Sequence, residues 1–409
     1  MRKIVIVTVL IGLSLGSLTA SAQRGPVKIG LFVPLSGPLA ANGKEMVNGF
    51  TLFLEEHSQR LAGREVRLTV EDTEAKPPTA LTKVRSLVEA QGVQVLVGPL
   101  STAEAYAVLS YIESHKMPTL SPTVAAEDLT QRRRSPYVVR TGWSAGQPAQ
   151  PFGRWVHDTL KYRKIAMIGQ DFAFGHENCA AFQRTFEEAG GQVVQKLWAP
   201  LGTTDFAPYL ARLKRDADAV YAAFAGADAL RFTRQYADAG LKERLPLVGS
   251  GNFTDEHVLR NMGDEALGVV TALHYSAALA TPANRRFVAA YEAKYGQVPS
   301  YYSEGTYVAG IVLNAALEAA GGDVEDGGKL LAALRRVNLT EVPRGPVSFD
   351  DHGHPVQNIY VRRVGRVAGK LQNTVIHTFP AVSQFWTYKP DEFLKNPVYS
   401  REWPVCRAC

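Results

Sequence analysis

Short apolar runs, each followed by a stretch with helical spacing of apolar residues, recur through the first two-thirds of the chain. This alternation constrains the fold more than any other feature, because few architectures satisfy it. Val27 to Leu31, Val66 to Glu71, Val93 to Val97 and Thr119-Leu120 read as strands. Between them, Gly43 to Ser58, Thr79 to Glu89 and Ser101 to Ser114 carry apolar positions on one face, as at Met46, Phe50, Phe53 and Leu54. Such a βαβαβαβ order with compact connections predicts a mostly parallel sheet covered by helices on both faces. The rhythm then restarts. Lys164 to Ile168, Gln192 to Leu197, Ala219 to Ala223 and Leu247-Val248 are strand candidates, interleaved with helices over His176 to Ala189, Phe206 to Lys214 and Ala229 to Ala239. A second α/β unit is therefore expected over about 142–271. Residues 273–347 are rich in helix candidates (Pro282 to Tyr295, Tyr301 to Ala320, Gly327 to Val337) and poor in strands, so they must pack on an existing sheet. Gly345 to Phe349, Ile359 to Val364 and Lys370 to Ile376 read as a hairpin-like end.

Two units also fit the length, since 409 residues exceed what one hydrophobic core serves. The first 22 residues are not expected to belong to either unit. Arg2 and Lys3 precede an almost wholly apolar stretch from Ile4 to Leu15, and Ala20-Ser21-Ala22 has the small-x-small form of a cleavage site. This is the pattern of a secretory signal peptide, residues 1–22, and predicts that the mature protein is exported. The run is short for a membrane anchor, and no later stretch reaches the length of a span. The formal charge of +6 is mildly basic and well mixed. Arg132-Arg133-Arg134 lacks an aromatic-interleaved basic stripe, so nucleic acid is not an expected partner.

Three cysteines remain for an oxidising compartment. Cys406-Arg-Ala-Cys409 has the spacing of a redox or metal half-site, but no second pair completes a zinc site. A local disulfide, or a link from one of the two to another cysteine, is the simpler expectation. Cys179 falls in an amphipathic helix as a small buried residue. The tail 381–409 is irregular, with Pro390, Pro397 and Pro404, yet it carries Phe385, Trp386, Tyr388, Phe393, Tyr399 and Trp403. So many aromatics predict a segment packed on the lobes rather than a disordered end.

Small polar residues cluster at four strand ends: Ser36-Gly37, Ser101-Thr102, Ser121-Pro122-Thr123 and Ser250-Gly251-Asn252. Free backbone N–H groups at a following helix start suit a carboxylate. Ser101 and Thr102 also qualify as plain N-caps. Phe172 and Phe174 on the Gly169–Gly175 loop, and Phe224 at another strand end, are candidates to pack on a ligand. Enzyme signatures are lacking: no G-x-S-x-G, no H-E-x-x-H, no phosphate-binding loop and no dinucleotide glycine pattern. The Asp350-Asp351-His352-Gly-His354 cluster reads as a solvated turn before it reads as a metal site. Neither a cofactor nor a metal is expected.

Taken together, VKIGLFVPLSG at 27–37, MVNGF at 46–50, VLVGPLSTAEA at 95–105, PTLSPTVAAEDLT at 118–130, PYVVRT at 136–141, DFAFG at 171–175 and LVGSGNF at 247–253 carry a resemblance over nearly the whole mature chain. The sequence resembles the periplasmic solute-binding proteins of ABC transporters, in the branched-chain amino acid receptor group. The resemblance implies an α/β protein of two Rossmann-like lobes joined by three crossovers, the type I periplasmic binding fold. The lobes would be 26–141 with 273–347, and 142–272 with 348–380. A small-molecule solute would lie in the cleft, and the closed monomer would present it to a membrane permease. The residues implied at the solute are Leu39, Asn42, Leu100, Ser101, Thr102, Ser121, Thr123, Phe172, Phe174, Phe224, Gly251, Asn252 and Tyr302. In that group a serine matching Ser101 and a threonine in the next loop hold an amino acid's carboxylate; the threonine position falls here at Ala125, with Thr123 of the same loop as its substitute. An acidic residue in the loop matching 249–253 holds its ammonium. That loop is GSGNF here, with no acid before Asp255. An ammonium buried without a counter-charge is costly, so a small aromatic or branched carboxylate is expected ahead of a branched-chain or other hydrophobic amino acid. Asp171, Asp228, Asp255 and Glu304 are the acids whose placement would reverse this. The competing classes are a cleft enzyme of the same shape, which needs a convergent catalytic set, and a sensor ectodomain, which needs a span or output domain.

Overall fold

The computed structural model describes residues 25–409, and the proposed signal segment 1–22 lies outside the described residues. The first sheet contains β1 (Val27–Val33), β2 (Arg60–Leu61), β3 (Arg64–Asp72), β4 (Val95–Val97), β5 (Thr119–Ser121) and β6 (Val138–Arg140), in the order β2-β3-β1-β4-β5-β6. All its pairings are parallel except the short β2–β3 hairpin. Its helices are α1 (Ala40–Glu56), α2 (Pro77–Arg85) and α3 (Thr102–Ser114). Central strands are buried along almost their whole length, as β1 and β4 show, which is why they read as continuous apolar runs.

The second sheet continues with β7 (Lys164–Gln170), β8 (Gln192–Ala199), β9 (Ala219–Ala223), β10 (Leu247–Ser250), β11 (Val270–Leu273), β12 (Val347–Phe349), β13 (Pro355–Val367) and β14 (Lys370–Val382). Its order is β12-β13-β11-β10-β9-β7-β8, with β14 paired to β13. The β13–β14 hairpin is longer than its apolar core suggested, because backbone pairing continues through polar residues out to Val367 and Lys370. Helices α4 (Gly146–Thr159), α5 (Ala173–Glu188), α6 (Ala207–Ala211), α7 (Ala227–Asp238) and α8 (Glu256–Leu259) accompany it. Helix α4 was not among the expected helices, and Pro151 in its interior removes a backbone hydrogen bond. Burial of Phe152, Trp155 and Val156 in a cluster with Phe182 and Phe186 of α5 outweighs the lost backbone hydrogen bond. Gly153 permits the close approach; a Cβ there would lie 2.3 Å from the Thr185 hydroxyl.

Helices α9 (Pro282–Tyr295), α10 (Tyr301–Ala319) and α11 (Gly327–Leu334) return to the first sheet's side, where α10 packs along α1. Gly49 makes that packing possible: a Cβ would fall 1.9 Å from the Ser303 carbonyl oxygen. The chain thus passes between the two sheets after β6, after β11 and before β12. The tail carries a last short helix, α12 (Pro390–Leu394), and Phe385, Phe393 and Tyr399 are buried in the α4–α5 cluster. Arg184 of α5 lies over the Tyr388 ring at 3.9 Å and over Phe393 at 5.1 Å. Arg132, between β5 and β6, donates to the Asn396 carbonyl at 2.7 Å. Cys406 and Cys409 are joined by a disulfide, while Cys179 is buried with a free thiol. Among the described residues no helix is long and apolar enough to cross a membrane, and no group of His, Cys, Asp and Glu is placed to hold a metal.

Candidate functional site

The C-terminal ends of the two sheets face each other across a small cavity. Leu39, Leu100, Ser101, Thr102, Thr123 and Ala125 line it from the first sheet's loops. Trp143, Phe172, Phe174, Ala225 and Asn252 line it from the second sheet's side, and Tyr301 and Tyr302 from the start of α10. Its volume is about 30 Å³, so the walls are nearly in contact.

The first wall is built on the N-terminus of α3. Ser101 is extended (φ −94°, ψ 151°) and closes a capping box. Its Oγ accepts from the Glu104 N–H at 3.3 Å, and its own N–H donates to Glu104 Oε2 at 3.0 Å. That N–H is thus engaged by Glu104, whose carboxyl burial pushes up. The hydroxyl proton of Ser101 is not used by the box. Thr102, only 1% exposed, has a hydroxyl with no partner. Thr123 anchors the adjacent loop by donating to the Pro99 carbonyl at 3.4 Å.

The opposing wall is aromatic. Trp143 is fully buried and donates its Nε1–H to the Thr123 carbonyl at 3.1 Å. It meets Phe174 and Tyr301 edge-on, with centroids 6.4 and 5.8 Å away, and Phe172 lies 5.9 Å from Phe174. Asn252 donates its Nδ2 protons to the Tyr301 oxygen at 2.6 Å and the Tyr302 oxygen at 3.3 Å. Its Oδ1 has no partner. Burial raises the phenol of Tyr302 to about 12, so both ring and hydroxyl are neutral at physiological pH.

Four of the residues expected at the solute lie elsewhere. Phe224 is packed against Phe206 and Phe232 under α7, because its side chain points into the second sheet's core. Gly251 faces β11, where a Cβ would sit 2.4 Å from Leu273, and its carbonyl accepts from Arg362 at 2.7 Å. Ser121 is buried beside the cavity without lining it. Asn42 is drawn into a hydrogen bond with His257 Nε2, 3.0 Å away. Trp143, Ala225 and Tyr301 join the wall although sequence reasoning did not nominate them, and Ala125 lines it where the resemblance put the family's threonine. Tyr301 had a signal in its neighbour Tyr302 at a serine-capped helix start. Trp143 had none, since it belongs to a connection between the sheets.

Among the described residues lining the cavity, none is charged. The four acids that would have reversed the expectation are engaged elsewhere. Asp255 is fully buried, 2.7 Å from His257 Nδ1, and accepts from the Tyr301 N–H at 3.1 Å. Burial opposes its ionisation, but the hydrogen bond and charge of His257, the Tyr301 N–H and the Arg362 charge together hold its carboxyl below the ordinary range. Glu304 is paired with Arg344, Asp228 accepts from Gln170 and the Gly202 N–H, and Asp171 lies at the surface with His176 and Arg401.

Two α/β sheets whose strand ends face each other across a narrow cleft match a known family. Residues 26–370 fit the family model described as "Periplasmic binding protein". The chain belongs to the periplasmic binding protein family. Within it, this periplasmic binding protein has the type I fold and falls in the branched-chain amino acid receptor group, the solute-binding proteins of ABC transporters. It is 34% identical to "Leu/Ile/Val-binding protein homolog 6" of Brucella melitensis, over 90% of this chain and 96% of that one. It is similar to a solved ABC transporter substrate-binding protein from Sphaerobacter thermophilus (37% identity, TM-score 0.83, 88% of this chain and 99% of that one). It is also similar to a solute-binding protein of an ABC transporter from Rhodopseudomonas palustris BisB5, solved with 3,4-dihydroxybenzoic acid (34% identity, TM-score 0.83, 88% and 98% covered).

Proposed function

We propose that this periplasmic binding protein carries a small aromatic carboxylate outside the cytoplasm and hands it to an ABC permease, with no chemical conversion. The units 26–141 with 273–347, and 142–272 with 348–380, would act as lobes that close on the solute. The observation that carries the reading is the cavity's chemistry: aromatic walls, hydroxyls at the start of α3, and no charged side chain. A carboxylate there is served by the Ser101 and Thr102 hydroxyls and by the positive end of a 13-residue helix. An ammonium would meet only neutral groups, and its desolvation would go uncompensated. The dihydroxybenzoate complex of the Rhodopseudomonas relative supports an aromatic acid as the solute.

A hydrophobic amino acid is the second reading. It is favoured by the name of the Brucella relative and by Asp255, which stands directly behind Tyr301. Calorimetry with benzoate, phenylacetate, leucine, isoleucine and phenylalanine separates the two. Binding of the aromatic acids at least tenfold tighter than the amino acids, about 1.4 kcal/mol, supports the carrier of aromatic acids. The reverse order replaces it with the amino acid reading.

A further inference from the structure

We infer that Asn252 makes the cavity selective for an aromatic acid whose ring carries a neutral hydrogen-bond donor, a hydroxyl or an amino group, away from its carboxylate. The inference rests on the aromatic-carboxylate reading and specifies which member of that class is held. Asn252 lines the cavity and is 3% exposed. Both its neighbouring tyrosine oxygens accept from its Nδ2, and its Oδ1 is an acceptor with no donor. A buried acceptor in this state is destabilising until a donor reaches it.

A second unpartnered group stands on the other side of the same cavity. The Thr102 hydroxyl comes from the first sheet, whereas Asn252 comes from the loop after β10 in the second. One wall therefore offers a donor at a helix N-terminus and the other offers an acceptor, with Trp143, Phe172 and Phe174 between. A flat solute with an anionic acceptor at one edge and a donor at another satisfies both at once. The donor is neutral because no carboxylate shares the wall with Asn252. Asp255, the nearest acid along the chain, is already held by His257 and the Tyr301 N–H. Sites that hydrogen-bond a solute hydroxyl discriminate strongly against the analogue lacking it, since the analogue leaves the buried partner unpaired.

The test is calorimetry on the intact mature protein with benzoate, 3- and 4-hydroxybenzoate, 4-aminobenzoate, 4-fluorobenzoate and isoleucine, repeated on Asn252→Ala. The tighter of the two hydroxybenzoates, or 4-aminobenzoate, is expected to bind the wild type at least roughly tenfold better than benzoate and 4-fluorobenzoate. The hydroxyl and amino probes distinguish the two donor types. In Asn252→Ala that advantage should fall to about threefold or less, with benzoate itself little changed. Equal binding of benzoate, 4-fluorobenzoate and the donor-bearing acids by the wild type overturns the inference and leaves the aromatic carrier standing. A full advantage that persists in Asn252→Ala assigns the donor to another group and also overturns it. Binding of isoleucine with no binding of any benzoate removes the underlying reading, and the inference with it. The wild-type series decides the matter even where the variant fails to fold.

Discussion

The wall of the cavity and the layer immediately behind it are built from opposite chemistry. The wall has hydroxyls, an amide and rings, and no charge. Behind it, fully buried charges are dense. Arg344 donates to both Glu304 oxygens, at 2.8 and 2.5 Å, and to the Thr141 carbonyl at 3.1 Å. Arg362 donates to the carbonyls of Tyr275 and Gly251, at 2.8 and 2.7 Å, and lies close enough to Asp255 and Glu256 to favour their ionised forms. Asp255, His257 and Asn42 form a chain from the second sheet to α1. The difference teaches how a site can be rigid and electrically bland together. The Arg344–Glu304 and His257–Asp255 pairs and the Arg362 contacts to carbonyls tie the connections between the sheets together, and a paired charge leaves little field for the solute to read.

This contrast separates stability from affinity, and substitutions on either side test it. The largest effect is expected for Glu304→Ala. It strands Arg344 as an unpaired buried cation and should cost about 3–5 kcal/mol in urea unfolding, whereas replacing both partners by apolar residues should recover most of the loss. Equal losses for the single and double variants would mean that the pair does not act as a unit. Trp143 belongs to both layers, so Trp143→Phe should blur the contrast. It leaves the buried Thr123 carbonyl without its donor, at about 1–3 kcal/mol of stability, and weakens solute binding as well.

Thr102→Val belongs to the wall alone. It keeps the shape and removes a hydroxyl that has no protein partner, so melting should be unchanged while affinity for benzoate falls about tenfold. Ser101→Ala is a poorer probe, because it also opens the capping box and is expected to cost about 1 kcal/mol of stability. An unchanged affinity in Thr102→Val would place the carboxylate away from α3.

The smallest effect concerns pH. Glu177 of α5 reaches across to the first sheet's side, where its oxygens accept from the Tyr106 hydroxyl of α3 at 3.2 Å and the Glu127 N–H at 2.9 Å. Burial, and then the charge of Glu127, push its carboxyl well above the ordinary range. Asp128 adds to that repulsion, and the Arg140 guanidinium, also close by, acts against it. A carboxyl raised on folding binds its proton in the folded state over a pH range where the unfolded chain has lost it. Its contribution is present at low pH and declines as pH rises from the unfolded carboxylate value through the raised one. Glu177→Gln should flatten that decline between mildly acidic and neutral pH in denaturation midpoints. A slope identical to the wild type would show that Glu177 is ionised throughout.

Local periodicity made the α/β units legible, because a buried parallel strand needs a continuous apolar run and a covering helix needs an apolar stripe. The polar strand end at Ser101-Thr102 was legible for the same reason, as a helix start leaves N–H groups that only certain residues satisfy. Phe172 and Phe174 were also readable, as aromatics on a strand-end loop. Helix α4 was not, since Pro151 opposes a helix locally and only contact with α5 decides for one. Nor was the fate of Phe224 or Gly251: one residue of twist at a strand end turns a side chain from cleft to core, and sequence spacing does not register it. The acids show the limit most clearly. Asp255 and Glu304 were candidates to reach a solute ammonium, yet the Tyr301 N–H and Arg344 engage them through space. The chain by itself determined which segments could form sheets and where they would end. Which side chains met between those ends, and which charges had already found partners, was decided by tertiary structure, because both depend on groups 40 or more residues apart brought within hydrogen-bond distance.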